Sequence, residues 1–211
     1  MIKKYIKSHE SIKPQVFEEF KQTFTTIFKK YENAISQWDH ELWRKIIYLI
    51  TPEIFSYEDI QNYYFLFEPP IISAITKENR KAIKSFILDE DYKTHILKEV
   101  YELFSKIQKY DAKNINKEIS YFIFKRYQQD RNLSNLNFYP FLKLIITGYA
   151  DAPNLGEICE FIGKTEVLKR IKSANKITKN NAVENVKILQ DKKQEALKVL
   201  SSFEVKLLTD K

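Results

Sequence analysis

Glycine is nearly absent from this chain: three residues in 211, all between positions 148 and 163. That excludes a glycine-rich phosphate loop anywhere ahead of Gly148, and with it the strand–loop–helix units built on such loops. The single cysteine, Cys159, excludes an internal disulfide and any metal site made of several cysteines. Its surroundings, E-I-C-E-F-I, contain no histidine, so a small buried residue is expected there and not a nucleophile. The three histidines, His9, His40 and His95, lie far apart without ligand spacing. No metal and no cofactor are expected. No apolar run approaches the roughly 18 uncharged residues of a membrane-spanning helix. Arginine is scarce too, with 5 residues against 30 lysines.

What remains is hydrophobic and aromatic. A hydrophobic content of 44%, with 14% aromatic, excludes general disorder. A chain of this length can bury a real core as one or two all-helical subdomains. The net charge of +7 is uneven: residues 164–211 hold 12 basic and 6 acidic residues, whereas residues 1–163 hold 23 and 22. A polyanion is therefore drawn to the last quarter of the chain. A lysine-rich solvated helix face accounts for the same numbers. The opening M-I-K-K-Y-I-K-S-H-E-S-I-K-P lacks the arginines of a mitochondrial presequence and reads as a basic N-terminal arm.

Helical spacing dominates. Phe17, Phe20, Phe24, Ile27, Tyr31, Ala34 and Trp38 form one stripe and predict a helix of about 24 residues. Asp39 is placed to cap the next helix, with Leu42, Trp43, Ile46, Ile47 and Ile50 inward. Thr51-Pro52 and Ser56-x-x-Asp59 are start signals for a segment that stops at Pro69-Pro70. Its Tyr63, Tyr64, Phe65 and Phe67 suit core packing; stacking on bases is the other use of such residues. Helices follow over 77–88, 92–109 and 115–128, capped by Asp89 or Asp91 and by Asn114. At the end, Ala182, Val186, Leu189, Lys193, Ala196, Leu200, Phe203 and Leu207 make a heptad seam. With one lysine in the seam, this helix is expected on its own domain or on a protein partner, through Val186, Leu189, Ala196, Leu200, Phe203 and Leu207.

The stretch from Phe138 to Ile171 is the most specific. Gly148 is expected just past a helix end with positive φ, Pro153 near the start of the next helix, and Gly163 between that helix and one opening at Lys164. The ordered set Pro140, Lys143, Thr147, Gly148, Pro153, Leu155, Glu157, Ile158, Gly163, Lys164, Leu168, Arg170 and Ile171 resembles the end of a bacterial or organellar glutamyl-tRNA synthetase, where it closes the helical anticodon-binding region. The resemblance covers about residues 42–172. It implies an all-α helical bundle of the class I synthetase anticodon-binding type, here with extra long helices at both ends: 1–41 as an N-terminal helical extension, 42–172 as the family-like region, and 173–211 as the heptad helix.

The resemblance also implies which residues would touch tRNA. Lys143, Pro153 and Leu155 match positions that contact anticodon bases in the family, although Pro153 and Leu155 equally suit a helix start and its core anchor. The family's usual arginine at position 143 is a lysine here, which keeps a charge but loses the planar fork. The lysine-rich composition suits an AT-rich gene, so drift explains that difference as well. Lys164, Lys169, Arg170 and Lys172 follow as outward cations able to track a backbone, with Leu168 and Ile171 inward. The synthetase's catalytic signatures are missing, since one needs clustered histidines with a glycine and the other usually carries a methionine, found here only at Met1. A non-catalytic tRNA-binding module is expected first. The alternative is a structural subunit of a larger assembly, a mitochondrial one included, that no longer binds tRNA. A fragment of a full synthetase is the third. The compartment expected is mitochondrial, otherwise cytoplasmic.

Overall fold

A computed structural model describes residues 14–50, 57–74, 76–86, 89–128 and 135–209, and among them every regular element is helical. The chain divides into two compact units, Met1–Tyr64 with Gln190–Lys211, and Phe65–Leu189. These limits differ from the expected ones at 41/42 and 172/173. The all-α expectation holds.

In the first unit, α1 spans Pro14–Ile27 and buries Phe17, Phe20 and Phe24. Proline suits a first helical position, where its missing N–H costs nothing. The single long helix expected here is broken. A 3₁₀ turn, Lys29–Tyr31, follows Phe28, and then the short α2, Glu32–Ile35. Phe28 has φ −103° and ψ 35°, outside the helical range. The bend turns Phe28 and Ile35 into the core, in place of the expected Ile27, Tyr31 and Ala34. The next helix, α3, spans His40–Ile50 and is capped as anticipated, with the backbone N–H of Leu42 donating to Asp39 Oδ1 at 2.7 Å. Its Trp43 meets Phe24 and Trp38 with ring centroids 5.6 and 5.0 Å away. Tyr63 and Tyr64 are buried, so core packing is what they do. The start signals at 51, 52 and 56 lie outside the described residues.

The second unit is built around a buried helix. It contains α4 (Lys77–Phe86), α5 (Glu90–Lys106), α6 (Ala112–Tyr127), α7 (Asn135–Thr147), α8 (Leu155–Ile162), α9 (Lys164–Ala174) and the first part of α10 (Lys179–Thr209). On α7 the residues Phe138, Phe141, Leu142, Leu144, Ile145 and Ile146 are all fully enclosed. A helix apolar nearly all round belongs in a core. Phe86 of α4 stacks on Phe141 at 4.6 Å, and Phe122 of α6 on Phe138 at 5.4 Å. Asp89 caps α5 by accepting from the N–H of Tyr92. The cap of α6 is Asp111, not Asn114: Asn114 lies three residues inside and donates both its backbone and side-chain N–H to that carboxylate. Those bonds, the backbone one first, hold the Asp111 carboxyl below its ordinary range.

The glycines fall where expected. Gly148 has φ 87° and Gly163 φ 82°, ending α7 and separating α8 from α9. At Gly156 the need is closeness: a Cβ there would sit 2.6 Å from the carbonyl oxygen of Ala112 and from the side chain of Asn116. The first turn of α8 therefore lies directly against the first turn of α6, and Glu160 completes the contact by accepting from the N–H of Ala112 at 2.8 Å. On α10, Leu189 is 2% exposed. The position is covered within the chain, one of the two placements expected for this helix. Val186 is half-buried, and the side chains of Ala196, Leu200, Phe203 and Leu207 lie outside the described residues.

Candidate nucleic-acid interface

Helices α5 and α9 run antiparallel, and a lysine fastens each end. Lys164 Nζ, at the start of α9, donates to the carbonyls of Ser105 and Ile107 at the end of α5, both at 2.8 Å. Lys93 Nζ, near the start of α5, donates to the carbonyl of Ile177 just past α9 at 2.9 Å and pairs with Glu90 at 2.6 Å. Lys164 satisfies carbonyls that the C-terminus of α5 leaves without an internal partner, at the negative end of its dipole, while Lys93 holds the turn that follows α9. Lys93 is 1% exposed. Thr94 adds a bond to Asn175.

Between these fastenings the pair presents a groove of about 460 Å³, lined by Tyr101, Thr165, Leu168, Lys169, Lys172, Ser173 and Lys176. Lys172 Nζ stands 4.7 Å from the centre of the Tyr101 ring. Lys169 lies 3.7 Å from Glu166, a loose exposed pair of small energetic weight. The groove thus combines three cations, an aromatic face and two hydroxyls, the components that hold a phosphodiester chain.

The structure separates the seven expected contact residues. Lys169 and Lys172 line the groove. Lys164 is engaged by the carbonyls of α5. Arg170 is the clear correction to the outward set: it is 3% exposed, and its guanidinium donates to Glu166 and to the carbonyls of Ile146, Phe65 and Glu68 at 2.7–3.0 Å. An arginine fork with this many acceptors fixes the end of α7 to the loop ahead of Pro69. Leu168, expected inward, stands in the groove wall.

Lys143, Pro153 and Leu155 flank the corner after α7. Leu155 is 2% exposed, in the core at the start of α8, while Pro153 and Lys143 are half-exposed. The corner is tied by Thr147, whose hydroxyl donates to the Lys143 carbonyl at 2.7 Å and accepts from the N–H of Tyr149. It is also tied by Asn79, a fully buried side chain that donates to the carbonyls of Ser73 and Gly148 and accepts from the N–H of Ala150. Asn79, Tyr101 and Lys176 were missed from sequence. Tyr101 stands beside the stripe of Leu97, Val100 and Phe104, a half-buried edge position that offered the one clue.

The Cys159 thiol is fully enclosed, and burial pushes its pKa up, as it does that of Tyr110 beside it. It has the character of a packing residue. Among the described residues no cluster of histidine, cysteine or carboxylate side chains could hold a metal ion, and no helix is long and apolar enough to cross a membrane.

Comparison with known proteins places the fold. The anticodon binding domain family matches residues 10–175. The chain belongs to that family. The match begins ahead of residue 42 and takes in α1. A glutamate–tRNA ligase from Fervidobacterium nodosum is 28% identical over 134 residues, which are 63% of this chain and 25% of the ligase. A glutamate–tRNA ligase from Elizabethkingia meningosepticum, solved in complex with its amino acid, superposes with a TM-score of 0.56 at 24% identity, over 77% of this chain and 30% of that one. The anticodon-binding domain is thus of the glutamate–tRNA ligase type, and it spans about a quarter of the length of the curated ligase it matches. The ligases' catalytic region is not part of what matches.

Proposed function

We propose that this anticodon-binding domain binds tRNA, with the α5–α9 groove as a backbone-tracking surface, and carries no chemistry of its own. The observation behind this reading is the grouping of Lys169, Lys172 and Lys176 around Tyr101 in one open groove. Family membership supplies the class of ligand. The groove supplies cations at positions where the fold does not need them, unlike Lys164 and Arg170. The test is a titration of the full chain with glutamate tRNA and with a non-cognate tRNA at two salt concentrations. The triple substitution Lys169→Gln, Lys172→Gln, Lys176→Gln should flatten the salt slope by about 2–3 units on both RNAs. Lys143→Ala should weaken the glutamate tRNA selectively if the corner reads a base. An unaltered slope in the triple variant removes the groove from the proposal, and an absence of binding near physiological salt removes tRNA.

A second reading has one observation in its favour. Leu155, Arg170 and Lys164, three of the seven expected contact residues, are engaged in the fold. A structural subunit of a larger, mitochondrial assembly would keep those residues and relax the others. In that case the titration gives no binding, and the partner lies with the later part of α10.

A further inference from the structure

The outer face of α6 carries a stripe that neither the groove nor the corner uses. Lys113, Lys117, Tyr121, Phe124 and Lys125 are all exposed and fall within one side of the helix, opposite the buried Ile115, Ile119 and Ile123. Phe124 is 67% exposed, the highest value for a large hydrophobic side chain among the described residues, and Tyr121 is 53% exposed. Lys125 Nζ stands 4.5 Å from the centre of the Tyr121 ring. A large aromatic left in water at this level loses most of the free energy that burial would provide. Two of them at i and i+3, with lysines on both sides, form a pattern and not a stray exposure.

We infer that this face of α6 is a stacking platform for unpaired nucleotides, with Phe124 and Tyr121 under the bases and Lys113, Lys117 and Lys125 toward the phosphates. The inference rests on the RNA-binding reading above and extends it to a second surface. Charge decides the occupant. Lys113, Lys117 and Lys125 are all cationic, while the only carboxylate within α6, Glu118, is half-buried on the flank. A second copy of this face would bring cations against cations. A nucleic-acid strand brings a negative charge with every base, together with a π face that stacks on an aromatic without regard to sequence. From Lys113 to Lys125 the helix rises ~18 Å, about five base steps at the 3.4 Å spacing of a stacked strand.

The experiment is a titration of the full chain with a single-stranded oligouridine of about 12 nucleotides, a length in the range such surfaces take, beside a blunt RNA duplex. Both aromatics are exposed, so Phe124→Ala and Tyr121→Ala leave the core intact. Each should weaken oligouridine about fivefold or more, leave the duplex unaffected and leave the salt slope unchanged. Phe124→Trp should restore binding, and Lys113→Gln with Lys117→Gln should lower the slope. Wild-type affinity in both alanine variants, or equal losses on strand and duplex, overturns the inference. So does an equal loss on an acidic peptide, which would make the face a protein site. A chain that binds oligouridine through Phe124 but no tRNA keeps this surface and loses the tRNA reading. A chain that binds tRNA but ignores oligouridine does the reverse.

Discussion

Asn79 shows how one side chain can hold a corner of the fold in place. Its amide bonds the carbonyls of Ser73 and Gly148 and the N–H of Ala150, all buried. Asn79→Ala leaves these groups without water or partner, at about 1–3 kcal/mol for each buried group that stays unsatisfied. A loss of at least about 2 kcal/mol in urea unfolding is expected. Arg170 acts in the same way on the other side of α7, which explains why an arginine stands there in so lysine-rich a chain: a lysine's point charge cannot face four acceptors in a plane. Tyr149, next to the corner, has its hydroxyl pushed up to about 12 by burial and by Asp151. The folded chain then keeps a proton that the unfolded chain releases near pH 10. Stability is complete below that pH and falls as the pH rises toward 12. Thermal melts between pH 9 and 12 should show the fall, and Tyr149→Phe should make it shallower.

At the scale of elements, two contacts set the second unit, and both are close approaches at helix ends. Gly156→Ala gains about 1 kcal/mol of helix propensity. Against that stands an overpacking cost of about 1–3 kcal/mol, and the obstacle is the backbone carbonyl of Ala112, which moves only with the first turn of α6. The clash wins, and the variant's urea midpoint should fall. Lys164→Met keeps the aliphatic stem but removes the charge-assisted bonds to Ser105 and Ile107, each kind worth about 1.5–3 kcal/mol. Faster hydrogen exchange at the end of α5 and the start of α9 should follow, with the groove cations untouched. The heptad seam of α10 illustrates the opposite case: its early positions Ala182 and Leu189 are buried, and the start of the helix is tied to the second unit, with the Ala182 carbonyl accepting from the N–H of Ala74 and Asn185 donating to the Ile72 carbonyl.

For the molecule as a whole, the chain matches the anticodon-binding region of a protein about four times the length of the matched segment. On the tRNA-binding proposal, contact should be limited to the anticodon arm. An isolated anticodon stem-loop should therefore show the same salt slope as whole tRNA, since slope counts the phosphates neutralised. Titrations of both RNAs across the same salt series would check this, and a steeper slope for whole tRNA would mean contacts outside the arm. The two candidate surfaces differ in chemistry. The α5–α9 groove is rich in lysine around one tyrosine, while the α6 face is aromatic with lysines at its margins.

Some of this was legible in the sequence alone. The all-α class follows from period-3.6 stripes and from a near absence of glycine, because helices need φ > 0 only where they stop. Gly148 and Gly163 marked those stops, and Asp39 and Asp89 marked starts, since caps act within four residues and are local chemistry. The break after α1 was not local: the stripe continues through it, and only packing turned Phe28 and Ile35 inward. Tertiary structure alone decided which cations face water. Lys164, Lys169, Arg170 and Lys172 look equivalent along the chain, yet two of the four are drawn onto carbonyls supplied by residues 24–105 positions away. A charge can be read from a residue, but its partner comes from the fold.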